Sequence, residues 1–131
     1  MAKPVPIGTR GASEERVKFE NTLKAFNHNL PPIYSTPDMV RLMEVAGARA
    51  LQPFCEQDEM SVGAAINVEH RAPAGLNTIV KAEAVVEAIE GKLYLLRVTV
   101  KVDERVIGCG TIKRAIVNVP NLLAKHGIPK P

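Results

Sequence analysis

The clearest periodic pattern in the chain lies between residues 36 and 52, where apolar residues recur at the three- and four-residue spacing of an α-helix. Ser35 or Thr36 can cap the first turn, and Pro37 suits the first helical position because its missing N–H costs nothing there. Pro53 predicts that the helix ends near residue 52. The predicted apolar stripe consists of Met39, Val40, Met43, Ala46, Gly47 and Ala50.

From residue 59 to residue 119 the pattern changes to the alternation of side chains that is typical of β-strands. Four strands are predicted there, with turn signals at Glu90–Lys92 and Asp103–Arg105 between the later ones. The first of these strands is predicted to direct one set of side chains to one face and a second set to the other: Val62, Ala64, Ile66, Val68 and His70 against Gly63, Ala65, Asn67 and Glu69.

The segment before the helix carries weaker signals. Residues 1–14 are rich in Gly, Pro and charge and predict a flexible N-terminal tail, followed by a single domain over residues 15–131. Within that domain, residues 16–22 predict a short edge strand and residues 23–35 a loop or flap. One strand, one long helix and four strands joined mostly by short turns predict an α+β domain, with the helix packed on a curved antiparallel sheet of about five strands. This is the element order of the hot-dog fold.

Composition narrows the class of protein. The 131 residues are 46% apolar and 24% charged with a net charge of +3, which is ordinary for a globular domain. Lys and Arg are dispersed and Trp is absent, so no nucleic-acid partner is expected. No apolar run approaches the ~18 residues of a membrane span. The N-terminus lacks a signal-peptide pattern, and Cys55 and Cys109 are interpreted as reduced thiols, so we expect a cytoplasmic protein.

Taken singly, the polar residues of the predicted elements have ordinary structural interpretations. Thr36 is suited to a helix cap, and Glu44 to a surface charge, although it lies at the border of the apolar stripe. His70 ends an apolar strand face, Gly63 is compatible with a bulge, and Arg114 with a salt bridge. No histidine stands at a recognisable spacing from Cys109, and the histidines and cysteines lack zinc spacing, so no metal or cofactor is expected.

Four stretches taken together are more specific than these residues are singly. They are STP at 35–37, Met43–Glu44 on the helix, VGAAINVEH at 62–70 and IGCGTIKRAIV at 107–117. In order and spacing they resemble the fluoroacetyl-CoA thioesterase family of hot-dog proteins over roughly residues 17–119. The resemblance implies a catalytic set of Thr36, Glu44 and His70, with Gly63 near the thioester and Arg114 as a substrate-binding residue.

The resemblance also implies an activity and an assembly. We expect a thioesterase that hydrolyses a short or medium acyl-CoA to the free acid and CoA, with a non-catalytic acyl-CoA-binding module as the alternative. Hot-dog proteins generally pair their sheets, so a homodimer is expected, with a tetramer as the alternative. The chain departs from the family pattern at Ile112, where many relatives carry a histidine. The flap carries no diagnostic aromatic residue except Tyr34, and no aromatic residue that would recognise fluorine is identified. A short neutral acyl group is therefore predicted.

The helix imposes a geometric condition on this set. Eight steps of ~1.5 Å place Thr36 and Glu44 ~12 Å apart along a straight axis, farther than two short side chains can bridge. Either the residues near Thr36 leave the helix and fold back, or the site is shared between two chains. Imidazole can act as the base at neutral pH. The attacking group can be Thr36, Glu44 or water.

Overall fold

The computed structural model describes residues 2–131, which form five strands, three α-helices and two short 3-10 turns. The strands are β1 (Arg10–Arg16), β2 (Glu59–His70), β3 (Ile79–Glu90), β4 (Leu93–Val102) and β5 (Arg105–Asn118). The helices are α1 (Leu23–Phe26), α2 (Thr36–Leu51) and α3 (Val119–Lys125), and the 3-10 turns are Phe19–Asn21 and Gln52–Phe54. None of the helices within residues 2–131 is long and apolar enough to span a bilayer.

All five strands form one antiparallel sheet in the order β1-β3-β4-β5-β2, and α2 packs on one of its faces. The core between them is made of fully buried side chains from the helix, among them Met39 and Met43, and from the central strands, among them Val86, Leu96 and Val98. The predicted α+β hot-dog fold, a central helix against a curled five-stranded antiparallel sheet, is confirmed.

The start of α2 assigns the capping role to Ser35. The backbone N–H of Asp38 donates to the Ser35 hydroxyl at 3.2 Å, and Pro37 follows within the first turn. Thr36 is therefore the first helical residue, and its hydroxyl is not used as the cap. At the other end, α2 passes into the Gln52–Phe54 turn, as Pro53 predicts. The buried residues of α2 are Met39, Leu42, Met43, Ala46, Gly47, Ala50 and Leu51, so Leu42 and Leu51 join the predicted stripe while Val40 is only half-buried.

The N-terminal region differs from the prediction. The first strand runs over Arg10–Arg16 and pairs with β3, so residues 10–14 belong to the sheet and not to a tail, and the predicted strand at 16–22 is wrong. Further upstream Val5 is buried, and the Lys3 N–H donates to the Phe54 carbonyl at 3.0 Å. Met1, the first residue of the predicted tail, lies outside the described residues.

The physical reason is that β1 meets the helix through small and polar residues, which gives no apolar alternation. A Cβ at Gly11 would collide with the backbone of Ala46 and Ala50, so only glycine lets the strand lie this close to α2. The buried Ser13 hydroxyl donates to the Leu42 carbonyl at 2.8 Å.

A β-bulge in β2 changes which residues share a face. Gly63 pairs with Arg114 and Ala65 with Lys113, so Ala64 is the extra residue. Because directly paired residues point to the same side of a sheet, the bulge places Gly63 on the face of Ile66, Val68 and His70. The predicted assignment of Gly63 to the opposite face from His70 is therefore wrong. The helix covers this face, since a Cβ at Gly108, the partner of His70, would meet Met39.

The predicted flap over residues 23–35 contains the short helix α1 and is fastened at both ends. Isolated bridges pair Thr22 with Tyr34 and Ile33 with Gly75, and the Tyr34 N–H donates to the Ala74 carbonyl at 2.8 Å. These bonds hold the flap against the segment that follows β2, beside His70.

Candidate active site

Thr36 and His70, which are 34 residues apart in the sequence, meet where the start of α2 faces the end of β2. The Thr36 Oγ1 lies 2.8 Å from the His70 Nδ1. The hydroxyl donates to Nδ1 when that nitrogen carries no proton, and accepts from it otherwise. The contact is possible because Ser35 caps the helix and because the strand end points at its first turn. It is the arrangement that activates a hydroxyl nucleophile or orients a water molecule.

His70 is held as a neutral imidazole. Burial lowers its pKa below the ordinary value, and a backbone group of Ala72 offsets part of this shift. Its second ring nitrogen, Nε2, is buried and has no hydrogen-bond partner within the chain. A neutral imidazole with one nitrogen on a hydroxyl can accept a proton during a reaction.

Tyr34 supports this histidine from the side. Its ring meets the imidazole edge-on, with the ring centroids 6.5 Å apart. The phenol donates to the Glu15 carboxylate at 2.6 Å, and burial followed by this hydrogen bond raises the pKa of Tyr34. Tyr34 therefore stays protonated and acts as a fixed wall of the site.

Glu44 lies in a second cluster, eight residues after Thr36 along α2. Its Oε1 is 3.0 Å from Nη1 of Arg114, whose side chain is only 8% exposed. Neither N–H group of Nη1 makes a hydrogen bond to this oxygen, so Oε1 is buried in an ion pair without accepting a hydrogen bond. Glu44 does not pair with Arg41, three residues earlier on the helix, because Arg41 pairs with Glu15 and Asp38.

Gly63 is the residue against which the Glu44 carboxylate rests. A Cβ at this position would collide with Glu44 Oε2 and would lie 3.8 Å from the Arg114 guanidinium. The backbone at Gly63 needs no positive φ, so the requirement for glycine here is space and not conformation. The bulge and the glycine together let a carboxylate from the helix approach the strand backbone.

The structure thus brings the five predicted residues into two groups on the same face of the sheet. Thr36 and His70 form the first group, and Glu44, Gly63 and Arg114 form the second. Thr36 is helical, so the alternative in which the chain near it folds back toward Glu44 is wrong. Among the described residues, the buried side-chain atoms without a hydrogen bond are His70 Nε2 and Glu44 Oε1, one from each group. Buried polar atoms are rarely left unpaired unless a ligand or another group meets them.

A depression of about 340 Å³ opens beside the first group. Thr36, His70 and Arg71 supply its polar lining, and the remaining walls are apolar or aromatic: Leu23, Ile33, Tyr34, Ala72 and Pro73. The flap and the segment after β2 form these walls, which explains why the two are fastened to each other. The cavity is of a size and character to hold a small apolar group next to a hydroxyl and an imidazole.

Ser61 belongs to the site although the sequence did not single it out. It is buried, and it receives two hydrogen bonds from Arg114: Nε donates to its hydroxyl at 3.0 Å and Nη2 to its carbonyl at 2.9 Å. The sequence feature that could have identified Ser61 is its position two residues before Gly63, on the same face of the strand. Cys109 pairs in register with Glu69, on the face away from the helix, and no group of metal-binding side chains occurs within residues 2–131.

Known proteins resemble this chain across both groups of residues. Residues 17–120 match the family described as fluoroacetyl-CoA-specific thioesterase. The fluoroacetyl-CoA thioesterase of Streptantibioticus cattleyicolor is 41% identical over 99 residues, which cover 72% of this chain and 68% of that protein. The solved structure of the fluoroacetyl-CoA thioesterase FlK is 29% identical with a TM-score of 0.86, covering 98% of this chain and all of that one. A variant of FlK in complex with acetyl-CoA, also 29% identical, gives a TM-score of 0.83 over 93% of this chain and 96% of the other.

Proposed function

Because this chain belongs to the fluoroacetyl-CoA-specific thioesterase family and is a thioester hydrolase, we propose that it hydrolyses an acyl-CoA whose acyl group is short and uncharged. The observation that carries the proposal is the 2.8 Å contact of Thr36 with a neutral His70 at the wall of an apolar depression. The reaction breaks the thioester C–S bond, adds water across it, and yields a carboxylic acid and free CoA.

The uncharged acyl group is proposed from the partners of the nearby cations and from the walls of the depression. An acyl carboxylate would need an unpaired guanidinium or ammonium to bind it. Arg114 is buried and engaged by Ser61 and Glu44, and Arg71 donates to Glu69 at 2.9 Å. The walls contributed by Leu23, Ile33 and Ala72 instead favour a hydrocarbon or similarly apolar chain.

His70 is proposed as the base. When Nδ1 is unprotonated, it takes the proton of the Thr36 hydroxyl as that oxygen attacks the thioester carbonyl, or of a water molecule held by Thr36. The thiolate of CoA then leaves and receives a proton. If Thr36 is the attacking group, the acyl group is left as an ester on its oxygen, and water deprotonated by the same imidazole hydrolyses this ester to release the acid. In the first turn of α2, Pro37 has no N–H, and the N–H groups of Asp38 and Met39 donate to Ser35. The Thr36 N–H, at the positive end of the helix, is therefore the group proposed to stabilise the developing oxyanion.

Glu44 is proposed to act on the His70 of a second chain. Within one chain Thr36 and Glu44 are ~12 Å apart along the axis of α2, so Glu44 does not reach the imidazole that Thr36 contacts. The Glu44 side chain is 24% exposed, and a carboxylate accepts a hydrogen bond from a protonated imidazole nitrogen. A partner subunit that presents its Glu44 to the His70 imidazole would complete a hydroxyl, imidazole and carboxylate set.

The edge of the sheet offers the surface for that second chain. β2 has only β5 as a neighbour, and most of its side chains are exposed, including Met60 at 45% and Ile66 at 50%. A long edge with exposed apolar residues invites pairing with another strand. We infer a homodimer in which the β2 strands of two chains lie side by side, which brings both groups of site residues to the junction.

A panel of acyl-CoAs with a thiol reagent tests the proposed function. Acetyl-, propionyl-, butyryl-, fluoroacetyl-, succinyl- and malonyl-CoA are compared by the rate of free thiol release. We expect turnover with the neutral short chains. Succinyl- or malonyl-CoA with kcat/KM about tenfold above acetyl- or butyryl-CoA would contradict the uncharged acyl group, and binding of CoA thioesters without release would contradict hydrolysis.

A further inference from the structure

Glu15, on the edge strand β1, reaches the wall of the active-site depression through a hydrogen bond. It pairs in register with Val80, which is fully buried, so its side chain lies on the face of the sheet that α2 covers. Each carboxylate oxygen accepts one hydrogen bond: the Tyr34 hydroxyl donates to Oε2 at 2.6 Å, and Arg41 Nη2 donates to Oε1 at 2.7 Å. One carboxylate therefore joins the strand, the flap and the helix.

Tyr34 is held at both of its ends. Its backbone N–H donates to the Ala74 carbonyl at 2.8 Å, and its side chain is buried, with 1% of the residue exposed. The other oxygen near its hydroxyl is the Asp38 carbonyl, at 3.2 Å. Hydrogen bonds to an ionised acceptor are shorter and roughly twice as strong as neutral ones, so Glu15 is the principal partner of the phenol. Burial and then this bond raise the pKa of Tyr34, so the phenol keeps the proton that it donates.

The ring between these two ends lies beside the reacting groups. It meets the His70 imidazole edge-on, with the centroids 6.5 Å apart, and it contributes to the wall of the 340 Å³ depression together with Leu23 and Ile33. A ring that is fixed at its hydroxyl and at its backbone has few alternative positions, so the wall does not yield to a larger group. The bond to Glu15 thus bears on how much room an acyl group has.

The second bond of Glu15 makes its charge important. Arg41 is half-exposed, so its ion pair with Glu15 is of modest strength, but it occupies the oxygen that Tyr34 does not use. A glutamine side chain has a single acceptor oxygen and therefore cannot accept from both Tyr34 and Arg41. Replacing this carboxylate by an amide accordingly separates the flap from the strand and helix with almost no change in side-chain volume.

We propose that Glu15 is a positioning residue that determines specificity: by holding the Tyr34 hydroxyl, it fixes the wall of the depression beside His70 and so limits the length of the acyl group. The inference rests on the proposed function, because it names what sets acyl length in the same site. Glu15 belongs to none of the four stretches that identified the site residues in the sequence.

The ratio of kcat/KM for propionyl-CoA to that for octanoyl-CoA tests this role. Glu15→Gln weakens the anchor, and Tyr34→Phe removes it while the ring stays. Glu14→Gln is the matched control, because Glu14 is exposed and lies on the opposite face of the same strand. We expect the ratio to fall about 10-fold in both test variants and to stay unchanged in the control. A wild-type ratio in both test variants would overturn the proposal, because a change that affects only stability lowers both rates alike.

A double variant tests whether Glu15 acts through Tyr34. In the Tyr34→Phe background, Glu15→Gln is expected to change the ratio by less than about twofold, because the bond that it weakens is already absent. A full, multiplicative change would contradict the proposal. Should Glu15→Gln fail to fold, Glu15→Asp, which withdraws the carboxylate by one methylene, decides by the same criterion.

Binding of two analogues gives a readout that does not depend on hydrolysis. In 2-oxobutyl-CoA and 2-oxononyl-CoA a methylene separates the sulfur from the carbonyl, so there is no thioester bond to break, and their chains match propionyl and octanoyl. Calorimetry on Glu15→Gln and Tyr34→Phe should show the ratio of the two Kd values shifted about 10-fold toward the long chain. Unshifted ratios would overturn the role of Glu15. A wild-type chain that released no CoA from any thioester would contradict the proposed function, whereas the Kd ratios would still decide whether Glu15 limits acyl length.

Discussion

At the residue scale, the proposed chemistry depends on an imidazole whose two nitrogens have different surroundings. His70 Nδ1 contacts the Thr36 hydroxyl, and Nε2 is buried without a partner in the chain. Burial keeps the ring neutral at neutral pH. A base must be unprotonated to act, so the environment of His70 favours its proposed role.

Replacing His70 by alanine should abolish most hydrolysis and leave the fold intact. Loss of a general base typically lowers the rate by about 10²–10⁴-fold. Thiol release measures the rate, and circular dichroism with thermal unfolding reports on the fold. His126→Ala is the matched control, because that histidine is exposed in the C-terminal segment. Wild-type turnover in His70→Ala would contradict the assignment, and an unfolded variant would favour a structural role.

The pH dependence of kcat/KM should reflect the lowered pKa of His70. In the proposed mechanism the active form is the neutral imidazole, so kcat/KM is expected to rise with pH, with a midpoint below the ordinary histidine value of about 6.5. Stability should follow the same sign. The unfolded chain binds a proton at His70 more readily than the folded one, so the contribution of this residue is present above pH ~6.5 and is lost as pH falls through the folded pKa.

This pH prediction is checked by rate profiles between acid and neutral pH, with denaturant unfolding at the same pH values. The rise in kcat/KM should be missing from His70→Ala, whose residual rate serves as the reference. A profile that falls from acid to neutral pH would show that the protonated ring is the active form and would contradict the proposed base.

Glu44→Gln should retain the helix and lose activity, since the two residues have similar helix propensity but the amide carries no charge. The amide oxygen still faces Arg114, although the ion pair is lost. Thiol release and the helical circular dichroism signal are the measurements, with Glu104→Gln in the exposed turn before β5 as the control. Unchanged kinetics would reduce Glu44 to a structural partner of Arg114.

At the element scale, the bulge of β2 is what brings strand and helix together at the site. Gly63 faces α2 only because the register shifts at Ala64, and only a glycine there leaves space for the Glu44 carboxylate. The geometry of the site therefore depends on the irregular part of an otherwise regular strand.

Gly63→Ala is expected to displace the Glu44 carboxylate and to lower kcat by about 10²-fold, the effect typical of a misplacement near 1 Å. The control is Gly75→Ala, because a Cβ at Gly75 meets nothing within 4 Å and its φ is not positive. Both variants are compared by kcat and by thermal unfolding. Equal, small effects in the two variants would show that the space at Gly63 does not matter for the reaction.

At the scale of the whole molecule, the two groups of site residues lie at different points along α2 and do not contact each other within one chain. The exposed β2 edge favours a second copy of the chain. Sedimentation should give a species of twice the 14.2 kDa chain mass at micromolar concentration. A monomer that hydrolyses acyl-CoA at wild-type rate would contradict the shared site.

Mixing two inactive variants tests the sharing directly. In a heterodimer of His70→Ala with Glu44→Gln, one of the two shared sites contains both wild-type residues. Statistical reassembly of equal amounts should therefore restore about a quarter of wild-type activity. Each variant reassembled alone is the control. No recovery in a mixture that demonstrably forms heterodimers would place the whole catalytic set within a single chain.

The features that depend on local physics could be predicted from the sequence alone. The helix from Thr36 to Leu51 was predicted from its cap, its proline and its apolar period, and the strands at 59–119 from alternation. The strand near the start of the chain was not predicted correctly, because β1 faces the helix with Gly11 and Ser13, which give no apolar alternation. A strand of that kind is stabilised by backbone pairing and close approach, which depend on its neighbours.

The grouping of the site residues could not be predicted in this way, because it depends on how distant elements pack. Thr36 and His70 were singled out from their motifs, but their contact requires two elements 34 residues apart to meet. The bulge that turns Gly63 toward the helix and the pairing of Arg114 with Ser61 and Glu44 likewise depend on strand register. Register is set by the joint packing of the whole sheet against α2, so the spacing of residues along one chain does not contain it.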